Sequence, residues 1–102
     1  TMFAETDITK CTIKLTQLSD SLNNGVCYMI FSDCTSLTDV TVYVTGDKLV
    51  FNTGKTIVNF LDSAFYGVTT TGILKVPAGS KQAYSDARTA MHLPDTWTIE
   101  EF

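Results

Sequence analysis

No stretch of the sequence is apolar for more than six residues, the longest being 26–31. A helix that crosses a bilayer needs about twenty such residues in a row, so no membrane span is expected. Basic residues are scarce: seven lysines and arginines stand against eleven carboxylates, giving a net charge of −4 and a pI near 4.6. They are also scattered. Nucleic-acid affinity is carried largely by clustered lysines and arginines that neutralise phosphates, so nucleic acid is not an expected partner. Histidine occurs once, at His92, and cysteine three times, at Cys11, Cys27 and Cys34. No cysteine pair has the two-residue spacing of a zinc or redox motif, and an odd number leaves at least one thiol unpaired within the chain. Unpaired cysteine behaves as a small buried hydrophobe, so buried free thiols are expected, with no metal and no cofactor. A basic start followed by an apolar stretch and a small-residue cleavage site is missing too. The opening Thr1-Met2-Phe3 falls in mid-pattern and reads as a cut in a longer chain, which hides any export signal.

What is present is a globular composition: 44% of residues are apolar and 18% charged, unlike a disordered chain. At 102 residues the chain buries only about two thirds of its unfolded surface, so its core is thin or shared.

Self-similarity is the strongest pattern. Three segments align on Phe3, Phe31 and Phe65. Each pairs a short compact stretch with a run of alternating apolar and polar residues, and alternation of period two marks a half-buried strand. The runs place Cys11, Ile13 and Leu15, then Val40, Val42 and Val44, then Leu74 and Val76, on one buried face. Phe31 precedes Val40 and Phe65 precedes Leu74 by nine residues, and Phe3 precedes Cys11 by eight, so one deletion reconciles all three. Units of this size stack with their strands in parallel, because none covers its own apolar face. Between the second and third units, Gly46 and Gly54 sit in turn sequences that flank Leu49-Val50-Phe51, with Thr56-Ile57-Val58 following. Read locally this is an antiparallel meander inserted at 45–60.

The tail is a cap. Pro77-Ala78-Gly79 breaks the last strand, Ser80 is placed to accept amide hydrogen bonds as an N-cap, and Ala83, Tyr84, Ala87, Ala90 and Met91 recur at helical spacing. One amphipathic helix of about three turns is expected. It ends near His92-Leu93 because Pro94 disfavours helix in the residue before it, and Trp97-Thr98-Ile99 closes the chain as a short extended segment.

Phe31-Ser32-Asp33-Cys34-Thr35-Ser36-Leu37-Thr38, running into Val40-Thr41-Val42, resembles the core of BspA-like leucine-rich repeats, where an aromatic, a cysteine and Thr-Ser-Leu precede the strand. Leu74 through Tyr84 is similar to the stretch that ends many such arrays, and Leu93-Pro94-Asp95-Thr96-Trp97-Thr98 resembles the closure of Bacteroides-type surface repeats. The likeness is strong over 28–44 and 64–99, weak over 2–15 and absent over 45–60. Thr6 and Val68 stand where the repeat cysteine belongs, and Thr71 replaces the leucine. The resemblance implies an α/β repeat, a leucine-rich-repeat-like solenoid fragment with short parallel strands, to which the local residue patterns add the β-hairpin insertion and the C-terminal helical cap. Residues 1–76 would hold degenerate repeats starting near 2, 30 and 64, and 77–102 the cap. It also implies a non-catalytic bacterial protein, secreted or on the cell surface, that works in adhesion or protein binding.

Catalytic patterns are weak by comparison. Asn52-Thr53-Gly54-Lys55-Thr56 ends like a phosphate-binding loop, but Leu49 stands where that loop needs its first glycine, and a hairpin turn explains Gly54 equally well. Cys34 with His92 is the one Cys-His pairing a cysteine enzyme could use, yet Cys34 falls on an inward position; His92 suits a helix C-terminus, where the dipole favours it. Asp33, Asp39, Asp47 and Asp62 read as turn and cap residues rather than as a glycosidase pair or a calcium loop.

A surface remains. Thr12, Lys14, Thr41, Tyr43 and Lys75 alternate out of the strands and form the candidate binding face for a protein or glycan ligand, with Tyr43 as its anchor. A solvated sheet face carrying one aromatic is the plainer reading of the same residues. Trp97 either stacks on a sugar or packs under the cap. The structural alternative to binding is that the segment only seals a longer array. Finally, the apolar edge near Phe3, Ile8 and Ile13 has no cap, which points to a weak homodimer through it.

Overall fold

The computed structural model describes residues 3–15, 27–45, 57–58 and 60–102. Among the described residues, four strands form one parallel sheet in chain order: β1 (Lys10–Leu15), β2 (Asp39–Val44), β3 (Gly72–Val76) and β4 (Trp97–Glu101). Two short helices, α1 (Lys81–Asp86) and α2 (Arg88–Met91), lie between β3 and β4, making an α/β fold. Parallel neighbours require a crossover behind the sheet; the Phe31 turn lies on the path from β1 to β2, the Phe65 turn on that from β2 to β3, and α1 and α2 on that from β3 to β4.

Register follows the sequence alignment. Cys11 pairs with Val40, Val40 with Leu74, and Leu74 with Ile99. Inward residues of the central strands are sealed, with Val40, Val42, Leu74 and Val76 at most 1% exposed. On β1 only Ile13 is buried, while Cys11 and Leu15 are half-buried, as an outer strand dictates. The one-residue deficit of the first segment falls between Thr6 and Ile8, which are two residues apart where Cys34 and Leu37 are three; by Thr9 the register is common, since the Asp39 N–H donates to Thr9 O (3.1 Å) as the Ile73 N–H does to Thr38 O (2.9 Å).

Behind the sheet the turns form a second ladder. The Phe3 N–H donates to Ile30 O, the Phe31 N–H to Ala64 O and the Phe65 N–H to Met91 O, at 3.2, 2.9 and 2.9 Å. Two residues further on, Glu5, Asp33 and Gly67 all take left-handed backbone conformations, with φ of 59°, 59° and 80°. Three residues after each phenylalanine, the N–H of Thr6, Cys34 or Val68 closes back on the phenylalanine carbonyl. The rings form a column: Phe3 to Phe31 at 6.3 Å, Phe31 to Phe65 at 5.3 Å, and Phe65 to Trp97 at 5.3 Å. Phe31 and Phe65 are fully buried, and each such ring contributes about 1.5–3 kcal/mol of transfer free energy.

Three expectations need correction. The hairpin insertion is not borne out at its end: Ile57 and Val58 are helical rather than a third strand, with Leu61 N–H donating to Ile57 O at 2.9 Å. Ile57, Phe60, Leu61 and Ala64 are all buried, a helical spacing that outweighs the short β-branched pair. The rest of the meander, at 46–56, lies outside the described residues, as do Asp47 and the loop at Asn52–Thr56. Second, the single capping helix is two. Ala87 sits at φ −90°, ψ 2° between them, and the bend brings the Ala90 and Met91 carbonyls onto the Ser63 and Phe65 amides, satisfying helix-end acceptors. His92 then ends α2 in the left-handed region, with His92 N–H on Thr89 O and Leu93 N–H on Arg88 O, a Schellman closure. Third, the Ser80 hydroxyl caps nothing; it donates to Pro77 O, and the Glu101 carboxylate accepts the Lys81 N–H at 2.9 Å instead. The closing segment is itself the fourth strand, paired in register from Gly72–Trp97 to Val76–Glu101.

Candidate functional site

Because side chains alternate along a strand, register turns the outward residues into rows. Lys10, Asp39, Ile73 and Thr98 make the first, and Thr12, Thr41, Lys75 and Glu100 the second. In the third, Lys14 lies opposite Tyr43, and Tyr43 reaches across to Phe102, just past β4. All five residues singled out from sequence fall on this face: Thr12, Lys14, Tyr43 and Lys75 are exposed and Thr41 is half-buried.

Two features give the face shape. A shallow depression of about 180 Å³ lies over the first two rows, with Lys10, Thr12, Asp39, Thr41, Ile73 and Lys75 around it. Beside it, the Tyr43 and Phe102 rings stack nearly parallel, 10° apart with centroids at 5.8 Å, and both remain about half exposed, at 44% and 50%. Phe102 is held there by its N–H, which donates to Val76 O at 3.2 Å.

Sequence reasoning missed Phe102 and Glu100 because β4 read as a closing segment rather than a ladder strand, and Ile73 because the third strand was read from Leu74 onward, whereas β3 begins at Gly72. The signal was available: Trp97 and Ile99 alternate with Thr98 and Glu100 as the other strands do. Lys10 and Asp39 were missed because each opens its strand.

Trp97 is 1% exposed and packs beside Phe65, so it lies under the sheet and is closed to a sugar. Its indole N–H, like the Tyr84 hydroxyl, is buried with no hydrogen-bond partner among the described residues; burial raises the Tyr84 pKa. All three cysteines are free. Cys34 is fully buried, and its thiol donates to Phe3 O at 2.9 Å, an acceptor shared with the Thr6 hydroxyl at 2.6 Å. The Thr6 hydroxyl thus closes its own turn, while the Cys34 thiol ties the second turn to the first. Burial pushes the Cys27 thiol up to about 11 and raises that of Cys11. His92 is exposed and its ring meets Tyr66 edge-on at 5.4 Å. Asp33 and Asp62 lie in turns, where their carboxylates accept from Ser32 and Ser63, and Ser63 takes the left-handed region at φ 53°. Among the described residues no group of three or more histidine, cysteine or acidic residues could hold a metal ion, and no helix is long and apolar enough to cross a membrane.

No family model, curated protein or solved structure compared with the chain matches it.

Proposed function

We propose that the chain is a non-catalytic binding module, a solenoid fragment of leucine-rich-repeat type from a secreted or cell-surface bacterial protein, which engages a protein or glycan through the outward face of its parallel sheet. The observation that carries this reading is the half-exposed Tyr43–Phe102 pair. Two large rings held in fixed geometry on a rigid sheet have little conformational freedom left to lose on binding, which favours them as anchors. The matching backbone bonds and left-handed turns at Phe3, Phe31 and Phe65 support the repeat reading. BspA-like character rests on the sequence resemblance, and location and adhesion follow from that resemblance.

The test is binding of the labelled chain to cultured epithelial cells, compared with a Tyr43→Ala/Lys75→Ala variant of unchanged melting temperature. Binding that falls at least tenfold supports the reading; unchanged binding overturns it.

A second reading, in which the segment only seals an array, is favoured by one observation. Arg88 donates to Pro94 O (2.8 Å) and Trp97 O (3.0 Å), covering backbone acceptors at the start of β4. On that reading the double variant binds as the parent does.

A further inference from the structure

Resting on the reading that the strand face binds, we propose that its ligand is a carboxylated oligosaccharide: one sugar ring stacks on the Tyr43–Phe102 shelf while the carboxylate of the adjoining sugar enters the depression between Lys10 and Lys75. The shelf is broad. A centroid distance of 5.8 Å at 10° exceeds the roughly 3.5–4 Å of direct carbon contact, so the rings are slid past one another and present more area than either alone.

The depression supplies the complementary charge. Two ammonium groups, Lys10 and Lys75, and one carboxylate, Asp39, border it, for +1 at its rim on a chain of net −4, with Glu100 standing outside the rim, opposite Lys75. The Asp39 carboxylate already accepts the Thr38 hydroxyl at 2.7 Å. Thr12 and Thr41, opposite each other in register, have no side-chain partner among the described residues, so their hydroxyls are available to hydroxyl or carboxylate oxygens. From Thr41 to Tyr43 is two residues, about 6.6 Å at the usual strand rise, a step suited to adjoining sugar rings. At about 180 Å³ the depression falls below the roughly 300–1,000 Å³ of sites that engulf a whole small molecule; it fits one charged group of a ligand lying across the face. A peptide is less well served. Extended peptides gain their main-chain hydrogen bonds at a sheet edge, and here the anchors stand on the face, where the backbone bonds are already spent within the sheet.

The test titrates isotope-labelled chain with trigalacturonic acid and, separately, with its fully methyl-esterified form, followed by amide chemical shifts. The acid is expected to shift Thr12, Thr41, Tyr43 and Lys75 and to bind at least tenfold tighter than the ester, with the difference shrinking at high salt. Lys10→Ala/Lys75→Ala should erase that preference, and Tyr43→Ala should weaken both forms alike. Equal binding of acid and ester, shifts elsewhere on the chain, or a response only to an aspartate-rich peptide would each overturn the proposal. If neither sugar binds while Tyr43→Ala/Lys75→Ala still abolishes cell binding, this inference fails and the binding-face reading stands; if the acid binds as described but the double variant leaves cell binding unchanged, the inference stands and only the role of the face in cell adhesion fails.

Discussion

The indole of Trp97 occupies the space that any side chain at Gly72 would need. A Cβ built on Gly72 would come within 2.6 Å of Trp97 Cε2 and Cζ2 and 2.7 Å of Thr38 O, inside contact distance on two sides. Gly72 therefore lets β3 approach both the closing strand and the chain entering β2. Gly72→Ala is expected to cost about 2–3 kcal/mol, the upper part of the overpacking range, and to lower the melting temperature by roughly 10 °C or more. Since Thr38 O is backbone, Trp97→Leu should rescue it only in part. An unchanged melting temperature would contradict the packing described.

Tyr84 buries a hydroxyl that finds no partner. Removing it keeps the ring in the core and relieves the desolvation of an unsatisfied group, worth about 1–3 kcal/mol. Tyr84→Phe should leave stability unchanged or raise it by about 1 kcal/mol in denaturant unfolding, whereas a loss of 1 kcal/mol would mean that the hydroxyl is hydrogen-bonded.

The thiols predict an alkaline weakness. Burial raises Cys27 to about 11 from its ordinary 9.0, so the unfolded chain releases this proton first. Its stabilising effect is present in full below pH 9 and fades as pH rises from 9 to 11. Unfolding free energy should therefore drop over that interval, and the drop should be smaller in Cys27→Ala. In native labelling at pH 8, half-buried Cys11 should react before buried Cys27 and Cys34; rapid modification of Cys34 would contradict its place beside Phe3 O.

The parts of the fold legible in the sequence were those in which one residue type repeats one role. Phe3, Phe31 and Phe65 announced the turn column, and alternation through Val40, Val42 and Val44 fixed which face is buried. The alignment already set Thr6 at the place of Cys34; that the two side chains share one acceptor, Phe3 O, emerges only from the stacking of the first two turns. Ile57-Val58 misled because two β-branched residues are too short a window to separate strand from helix, and the decisive partners, Phe60 and Leu61, came later. Five residues of the outward sheet face were legible from alternation alone. Phe102 was not, because its meeting with Tyr43 spans two strands and depends on the register of β4.

Arg88 covers a backbone carbonyl at the start of β4, while the outer side of β1 pairs with no strand among the described residues. Such an edge is a template for further pairing, and half-buried Phe3 and Ile8 lie along it. Weak dimerisation is expected at high concentration in light scattering. Thr12→Pro, which removes a donor from β1, should abolish it; a parent chain that stays monomeric contradicts the idea.

The central claim concerns which surface binds, and two tyrosines test it most directly. Tyr43 stands on the strand face at 44% exposure and Tyr66 in the turns behind at 49%, so they differ in place far more than in accessibility. Tyr43→Ala should reduce binding to epithelial cells at least tenfold, in keeping with an anchor residue, while Tyr66→Ala leaves it within twofold of the parent. Equal losses from both, or a loss from Tyr66→Ala alone, would contradict the assignment of the strand face.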